Sequence, residues 1–297
     1  MAVIEASRDA RDGVVAGLIA YSMWGLLPIY FKIVGDVAAT EVLLHRIVWA
    51  VPFGALIVHF QQQWLAVRRA LTHRNMLFML ATAAFLIAAN WYVYIFAIQQ
   101  EQIFQASLGY YINPLMYVLV GVVFLNEELR RLQVAAVVLA TIGVIVLTYS
   151  GGQFPAISLF LAGSFTIYGV IRKQVVIGGM PGLFVETILL FPLAALGLLW
   201  LVYSGQAAIA VSAPGLAALL LLAGPLTVIP LLFFALAARR LPLTIVGFMQ
   251  FLAPTLQFLV GLYYGEQLTV PHLICFGCIW TAVILFSTDA LRANHST

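Results

Sequence analysis

The chain has 297 residues, of which 64% are apolar and 8% charged, with fourteen basic and eleven acidic side chains and a net charge of +3. A soluble chain carries roughly 25% charged residues, so this composition excludes a soluble protein and predicts an integral membrane protein. The small net charge excludes a nucleic-acid-binding surface, and two cysteines are too few for a disulfide scaffold.

Ten apolar segments approach the length needed to cross the hydrocarbon core, which is about 20 helical residues. The first follows a charged amino-terminal stretch without a small-residue cleavage site, so we expect it to remain as an uncleaved span. The sixth is the shortest, and tilt or local thinning of the bilayer would accommodate it. The predicted spans are 13–31, 38–60, 76–98, 103–125, 132–149, 157–171, 183–203, 214–236, 242–263 and 269–288.

The basic residues divide unequally between the two sides of these spans. Only Lys32 and Arg46 fall on one side. Because the cytoplasmic connections of membrane proteins collect Lys and Arg, this asymmetry predicts ten spans with both termini in the cytoplasm. The residues on the predicted cytoplasmic side are Arg8, Arg11, Arg68, Arg69, Arg74, Arg130, Arg131, Arg172, Lys173, Arg239, Arg240 and Arg292.

The second half of the sequence resembles the first at an offset of 140 residues, where Pro114–Gly121 aligns with Pro254–Gly261. Five spans per repeat reverse the orientation of the second copy. We therefore expect two inverted five-helix repeats, over residues 1–150 and 151–297, with a binding site between them near the membrane midplane. Pro114 and Pro254 are candidate hinges, although purely architectural kinks explain them equally well.

Arg46 lies about eight residues into the second span, roughly 12 Å along the helix from its outer end. A charged arginine at the bilayer centre costs about 2.5–3.5 kcal/mol unless a partner or a wet cavity compensates it. We therefore expect Arg46, with its neighbour His45, to line the pathway and to attract an anionic group such as a carboxylate. Extension to the outer interface, or pairing with Glu41, is the alternative.

Polar side chains on the third and fourth spans share the depth of Arg46. Asn90 lies about eight residues from the outer end of its span, and Tyr110, Tyr111 and Asn113 lie roughly eight to ten residues into theirs. Polar groups at one level on three helices are typical of a cavity wall, although an interhelical hydrogen bond would explain each one alone. Aromatic walls for a ring-bearing substrate are expected from Trp24, Trp91, Tyr92 and Tyr94, with anchoring at the membrane interface as the alternative.

Structural ion pairs, repeated in the two halves, explain five further charges. Glu41 opens the second span, and Glu186 occupies the matching place in the seventh. Lys32 precedes Glu41, and Arg172 with Lys173 precedes Glu186, so each glutamate has basic neighbours one helix earlier.

No motif for nucleotide hydrolysis, zinc proteolysis or serine hydrolysis is present in the sequence. Cys275 and Cys278 have CxxC spacing, but they lie in an apolar span without a second cysteine pair. We therefore expect packing roles for both and neither a metal nor a cofactor. No carboxylate lies at the predicted midplane, so the candidate proton carrier is His45, with facilitated movement as the favoured alternative.

Several further motifs accompany the Pro114 and Pro254 segments: Trp24-Gly25-x-x-Pro28-x-Tyr30-Phe31-Lys32, Glu41-x-x-x-His45-Arg46, Asn90-Trp91, Leu108-Gly109-Tyr110-Tyr111-x-Asn113-Pro114-Leu115 and Tyr168-Gly169-x-x-Arg172-Lys173. Together they resemble the drug/metabolite transporter superfamily, specifically its EamA-type ten-helix members and, among those, the RarD-type proteins. The resemblance covers the whole chain. It implies an inner-membrane exporter or carrier of small metabolites or drugs, and the RarD name is linked to chloramphenicol susceptibility.

The sequence thus predicts an all-α integral membrane protein that carries a small-molecule substrate by alternating access through a central cavity. We expect it to act in the lipid bilayer as a monomer or homodimer, without nucleic acid. The alternatives are an intramembrane enzyme and a lipid-translocating or structural membrane protein. An enzyme would normally cluster Asp, Glu or His near one membrane face, and the chain has no Asp between Asp36 and Asp289.

Overall fold

The computed structural model describes residues 2–125, 131–151, 154–208, 214–241 and 243–295. Every regular element within these ranges is a helix. The helices are α1 (Ala2–Ile33), α2 (Ala39–Phe60), α3 (Trp64–Thr72), α4 (Arg74–Gln99), α5 (Ile103–Leu125), α6 (Arg131–Gly151), α7 (Ala156–Gln174), α8 (Gly179–Tyr203), α9 (Pro214–Arg240), α10 (Leu243–Met249), α11 (Leu252–Tyr263) and α12 (Val270–His295).

Eight segments in the described residues are long and apolar enough to cross a membrane: Ala10–Ile33, Ala39–Phe60, Arg74–Gln99, Arg131–Ser150, Ala156–Gln174, Gly179–Tyr203, Gly215–Arg240 and Ile245–Tyr263. The predicted fourth and tenth spans coincide with α5 and with the apolar segment Val270–Leu285 of α12. Ten spans therefore remain a prediction. The sixth span extends beyond its apolar run of 157–171, because α7 continues through Arg172 and Lys173, an extension that the shortness of this run suggests.

The ninth predicted span, 242–263, coincides with the apolar segment Ile245–Tyr263, but its helix is interrupted between α10 and α11 at Gln250 and Phe251. The cause is Pro254, whose ring nitrogen cannot donate a hydrogen bond to the carbonyl four residues earlier and whose ring crowds that carbonyl. The short helix α3 was also not predicted. Its apolar and basic residues alternate too closely to form a membrane-length apolar run.

Helix packing follows a regular pattern. The first predicted span, α1, packs against the eighth and ninth, α9 and α11, while the sixth, α7, packs against the third and fourth, α4 and α5. The second span, α2, contacts α9, just as the seventh, α8, contacts α4. Contacts also join α2 to α8, α5 to α11 and α6 to α12. Each of these contacts joins helices that are not consecutive in the sequence.

The interface between α2 and α9 is unusually close at Gly224. A Cβ atom added there would overlap the backbone carbonyl oxygen of Trp49. Small residues allow membrane helices to approach in this way. Thr227 lies on the next turn of α9 and is thereby brought against α2. The outward surface is apolar instead, with Phe78, Phe85 and Leu193 exposing 73%, 72% and 73% of their area, as expected for a surface in lipid.

Candidate functional site

Arg46 is the central residue of the candidate site, and only 6% of its surface is exposed. Its Nε donates a hydrogen bond to Thr227 Oγ1 at 2.7 Å, and the Thr227 hydroxyl itself donates to the carbonyl oxygen of Ala223. Nη1 is buried and has no hydrogen-bond partner among the described residues. Within that part of the chain, no carboxylate lies at ion-pair distance from Arg46. The positive charge therefore has no counter-charge among the described residues.

Aromatic rings supply the rest of the Arg46 environment. The guanidinium carbon Cζ lies 4.2 Å from the ring centroid of Trp91 and 5.9 Å from that of Phe31. Cations over aromatic faces gain about 2 kcal/mol when desolvated, which is less than the cost of burying an unpaired ion. Tyr94 adds a buried hydroxyl without a partner among the described residues, and it interacts electrostatically with Arg46. These groups leave unsatisfied hydrogen-bonding capacity beside the cation.

Asn90 and Tyr110 form a network next to this cluster. The Tyr110 hydroxyl donates to Asn90 Oδ1 at 3.2 Å, and Asn90 Nδ2 donates to the Leu161 carbonyl at 3.0 Å and to Ser164 Oγ at 2.9 Å. Asn90 is completely buried, and its bonds join α4, α5 and α7. Tyr110 also interacts electrostatically with Arg46, so the network and the cation belong to one region.

The other predicted cavity residues make contacts elsewhere. Tyr111 points to the opposite side of α5, where its hydroxyl lies 2.7 Å from Thr255 Oγ1 and its ring stacks with Phe251. His45 Nδ1 accepts a hydrogen bond from Trp49 Nε1 at 3.1 Å, and its Nε2 lies 3.8 Å from Glu41 Oε1, so the contacts of the imidazole are with residues of α2. The structure therefore brings Arg46, Asn90 and Tyr110 together, without Tyr111.

Asn113 and Trp24 also make contacts between helices. Asn113 Oδ1 accepts from the Thr166 hydroxyl at 2.8 Å, while its buried Nδ2 has no partner among the described residues. The Trp24 ring packs against Phe234 on α9, with centroids 5.8 Å apart. Its carbonyl accepts from Gln257 Nε2 on α11 at 3.3 Å.

The two predicted ion-pair groups differ. Arg172 Nε lies 3.2 Å from Glu186 Oε1, and the Tyr168 hydroxyl donates to Glu186 Oε2 at 3.2 Å. Lys173, the next residue, is exposed.

Lys32 does not pair with Glu41 as predicted. Its Nζ lies 3.6 Å from Glu101 Oε1, because the end of α1 packs beside the turn between α4 and α5. Glu41 instead accepts a hydrogen bond from the Ala208 backbone amide at 2.8 Å and lies 3.8 Å from His45 Nε2. Nearness in the sequence therefore predicted the right partner for Glu186, which pairs with Arg172, but the wrong partner for Lys32.

Glu266, like Glu41, joins the first half of the chain to the second, at the end of the molecule where α1 ends and α2 begins. Glu266, between α11 and α12, accepts hydrogen bonds from the backbone amides of Ile103 and Phe104 at the start of α5, the latter at 2.8 Å. Burial raises the pKa of Glu266 above its ordinary value, and the two amides and Lys32 oppose the increase. Together with the Glu41 contact, these bonds hold the predicted outer ends of the halves together.

The cavity predicted at Arg46 stays a prediction, because the structure shows that residue buried among side chains. A cavity of about 220 Å³ lies farther along the same two helices, at the carboxyl-terminal ends of α2 and α9. This cavity, called the inner cavity below, is bordered by polar and apolar residues and contains no carboxylate in its described lining. Its lining consists of Gln61, Gln63, Gly178, Gly179, Met180, Pro181, Leu231, Phe234, Ala235, Leu236, Ala238 and Arg239.

Sequence reasoning missed Thr227, and it predicted Tyr94 only as an aromatic wall, without a role for its hydroxyl beside Arg46. Thr227 is a lone hydroxyl between Pro225 and Pro230 in an otherwise apolar span, and polar residues inside membrane helices are a functional signal. Tyr94 is visible in the sequence only as one more aromatic residue of its span. Which helix would face Arg46 could not be read from the sequence, because α2 and α9 are 181 residues apart at this contact.

Known proteins resemble this chain over most of its length. The model of the EamA-like transporter family matches residues 11–149. An uncharacterized transporter of Vibrio cholerae serotype O1 is 41% identical over 290 residues, which cover 97% of this chain and 96% of its own. The protein RarD of Salmonella typhi is 40% identical over 97% of this chain and 99% of its own. A crystal structure only 17% identical has a TM-score of 0.58 over 92% of this chain and 96% of its own, which shows a shared fold.

Proposed function

Because this chain belongs to the EamA-like transporter family and is RarD-like within it, we propose that it exports small metabolites or drugs across a bacterial inner membrane by alternating access. The family makes it a multi-pass membrane transporter and not an enzyme. Export, inner-membrane location and the substrate site are our proposals, and the features below support them.

The proposal rests on the guanidinium of Arg46, which is buried and has no ion-pair partner in the part of the chain that the structure describes. A buried ion without a counter-ion costs several kcal/mol even after relaxation, and arginine cannot lose its proton to avoid that cost. The free Nη1 and the Tyr94 hydroxyl offer hydrogen-bond donors beside the charge. A substrate carboxylate placed there would supply both the missing charge and the missing acceptor. Arg46 is thus the proposed substrate-binding residue, with Asn90, Tyr110 and Trp91 forming the surrounding wall.

The helix packing supports two inverted repeats. If the first five predicted spans are exchanged with the second five, α1 corresponds to α7, α9 to α4 and α11 to α5. The contacts of α1 with α9 and α11 then correspond to the contacts of α7 with α4 and α5. Such an exchange is expected of repeats that move against each other around a central site. We propose that Pro114 and Pro254 are the corresponding hinges and that Arg172–Glu186 is a structural ion pair.

The test uses Arg46→Met, which removes the charge but keeps an unbranched apolar side chain of similar length. Purified protein is screened by thermal shift against a panel of small organic carboxylates and their uncharged amides. We expect at least one carboxylate, but not its amide, to raise the melting temperature of the wild type, because a ligand that binds only the folded state stabilises it. Arg46→Met should abolish that shift and the counterflow of the same carboxylate in proteoliposomes.

Stability distinguishes a substrate residue from a structural one. Without ligand, Arg46→Met should melt no lower than the wild type, because it removes an uncompensated buried charge. Lys173→Met, which removes an exposed charge, is the matched control and should keep both ligand binding and counterflow. Carboxylate binding that is unchanged in Arg46→Met would refute the site, and a large loss of stability without ligand would make Arg46 structural.

A further inference from the structure

The inner cavity and Arg46 lie along the same face of α9. Thr227, Leu231, Ala235 and Arg239 follow one another at intervals of four residues, which places them in one row on a helix. Thr227 contacts Arg46, and the other three line the cavity. Twelve residues of helix span about 18 Å, so the row connects the buried cation with the cavity mouth over that distance.

A thin apolar plug separates the cavity from Arg46. Ala50, four residues after Arg46 on α2, packs with Met180 and Val228 in a buried cluster that Leu231 joins. Met180 and Leu231 also line the cavity, so they form the boundary between the two spaces. One helical turn, about 6 Å, separates Leu231 from Thr227. The plug is therefore a single layer of side chains.

Met180 is the movable member of this layer. It lies at the start of α8, directly after Gly178 and Gly179, and a Cβ atom at residue 179 would meet no other atom within 4 Å. Methionine is unbranched and adapts its shape through three rotatable bonds. Ala50 and Val228, by contrast, have short side chains fixed to the middle of long helices.

The cavity mouth carries the same sign of charge as the buried site. Arg239 is exposed there, beside Gln61 and Gln63, and the amide oxygen of Gln63 is buried without a hydrogen-bond partner among the described residues. A positive group at the mouth of a low-dielectric cleft raises the local concentration of anions. An anion that also bears an N–H or O–H donor would satisfy Gln63.

We propose that the inner cavity is the entrance through which small organic anions reach Arg46, and that Met180 closes it. The inference rests on the proposed function, because it takes Arg46 as the destination of the substrate. Its tests measure access by thiol labelling and do not require the substrate to be known.

The first test places a reporter cysteine at the end of the route. Thr227→Cys is made in the full chain with Cys275→Ala and Cys278→Ala, and its labelling by anionic sulfonatoethyl methanethiosulfonate is followed. Met180→Ala should speed labelling at least tenfold, and Met180→Val, which keeps an apolar side chain, should give a smaller increase. Val185→Ala is the matched control, because Val185 is fully buried in the same helix but packs away from the cavity, and it should leave the rate unchanged.

The second test measures the charge at the mouth. Ala235→Cys is labelled with the anionic reagent and with neutral methyl methanethiosulfonate. Arg239→Gln should lower the anionic rate about three- to tenfold relative to the neutral rate, because electrostatic attraction raises association rates by 10-fold or more. Arg240→Gln makes the same change in net charge one residue away, outside the cavity lining, and should change the ratio much less.

The outcomes separate this inference from the proposed function. The entrance would be overturned if Thr227→Cys is labelled equally fast with Met180 intact and in correctly folded Met180→Ala and Met180→Val proteins, or if Arg239→Gln leaves the anionic-to-neutral ratio unchanged. If both labelling results appear but Arg46→Met still binds and transports the carboxylate, the entrance stands and the substrate site is wrong. If Arg46→Met loses transport and labelling does not respond to Met180, the site stands and the route to it is elsewhere.

Discussion

Among the described residues, the guanidinium of Arg46 donates to one neutral hydrogen-bond acceptor, Thr227 Oγ1, and it lies over the rings of Trp91 and Phe31. That acceptor matters more than an ordinary threonine hydroxyl, because its loss leaves a charged donor buried and unpaired. Hydrogen bonds to charged groups contribute about 1.5–3 kcal/mol, roughly twice the contribution of neutral ones.

We therefore predict that Thr227→Val lowers the free energy of unfolding by about 1.5–3 kcal/mol, since valine has nearly the same shape but no oxygen. Thermal unfolding in detergent measures the change. Thr227→Ser keeps the oxygen and is the control, with a melting temperature close to that of the wild type. A Thr227→Val protein as stable as Thr227→Ser would show that water or another group takes over the bond.

Glu266 gives a pH-dependent prediction. Burial raises its pKa in the folded state, so the folded protein binds this proton more tightly than the unfolded chain. The resulting stabilisation is complete below the ordinary pKa of 4.5 and is lost as pH rises through the raised folded pKa. The melting temperature of the wild type relative to Glu266→Gln should therefore fall as pH is raised from 4.5.

The neighbouring Gln267→Asn is the control for that titration. It alters an exposed, uncharged side chain in the same connection, so its pH profile should follow that of the wild type. A wild-type advantage over Glu266→Gln that grows with pH would contradict the prediction and would mean that the amides of Ile103 and Phe104 outweigh the cost of burial.

At the residue scale, the sequence identified Arg46 because charge in an apolar run is visible without any partner. It could not identify the partners. Lys32 shows why: it ends α1 near Glu41 in sequence but lies beside Glu101, since the course of the chain between helices decides which carboxylate it meets. Tyr111 shares the depth of Tyr110 but lies on another face of α5, as successive helical residues are about 100° apart.

At the element scale, two prolines that align in sequence have different effects. Pro254 coincides with the break between α10 and α11, whereas α5 continues as one helix through Pro114. A proline removes one hydrogen bond in either case, but neighbouring groups decide whether the backbone opens. The carbonyl of Pro254 accepts a hydrogen bond from the Ser107 hydroxyl of α5 at 2.8 Å, which ties the broken segment to its counterpart.

The close contact of α2 and α9 at Gly224 provides a test of packing. Gly224→Ala should lower the free energy of unfolding by about 1–3 kcal/mol, because the added methyl group meets the Trp49 carbonyl and the two helices must separate. Melting temperature and the carboxylate-induced shift should both decrease, since separation also moves Thr227 away from Arg46.

Gly215→Ala is the control on the same helix, where an added Cβ meets no atom within 4 Å. It should be neutral or slightly stabilising, because alanine favours a helix over glycine by about 1 kcal/mol. Equal melting temperatures for Gly224→Ala and Gly215→Ala would show that the helices can separate without cost.

Most helices were predictable, since lipid requires long apolar segments with internally bonded backbones. The exceptions were α3 and the division of the ninth span. Neither depends on hydrophobicity: α3 is short, and the division follows from one proline and its neighbours. The lengths of the apolar runs therefore located the spans but not their interruptions.

At the scale of the whole molecule, the distribution of basic residues predicts its orientation. Gln206, in the exposed connection after α8, should be outside, and Thr72, at the end of α3, should be inside. In intact cells, an impermeant thiol reagent should label Gln206→Cys and should label Thr72→Cys only after permeabilisation. Labelling of Thr72→Cys in intact cells would reverse the topology and place the inner cavity on the outer side.

The bonds that hold the predicted outer ends together join a glutamate side chain to backbone amides, at Ala208 for Glu41 and at Ile103 and Phe104 for Glu266. Every amino acid except proline supplies such an amide. Random mutagenesis should therefore reject proline at all three positions and tolerate few residues at positions 41 and 266. Many side chains should be accepted at Ala208, whereas Ile103 and Phe104 are buried in the core and should accept mainly apolar ones. The contact at the outer ends thus depends on the side chain of only one partner in each bond, and the side chain of the other partner is constrained by packing alone.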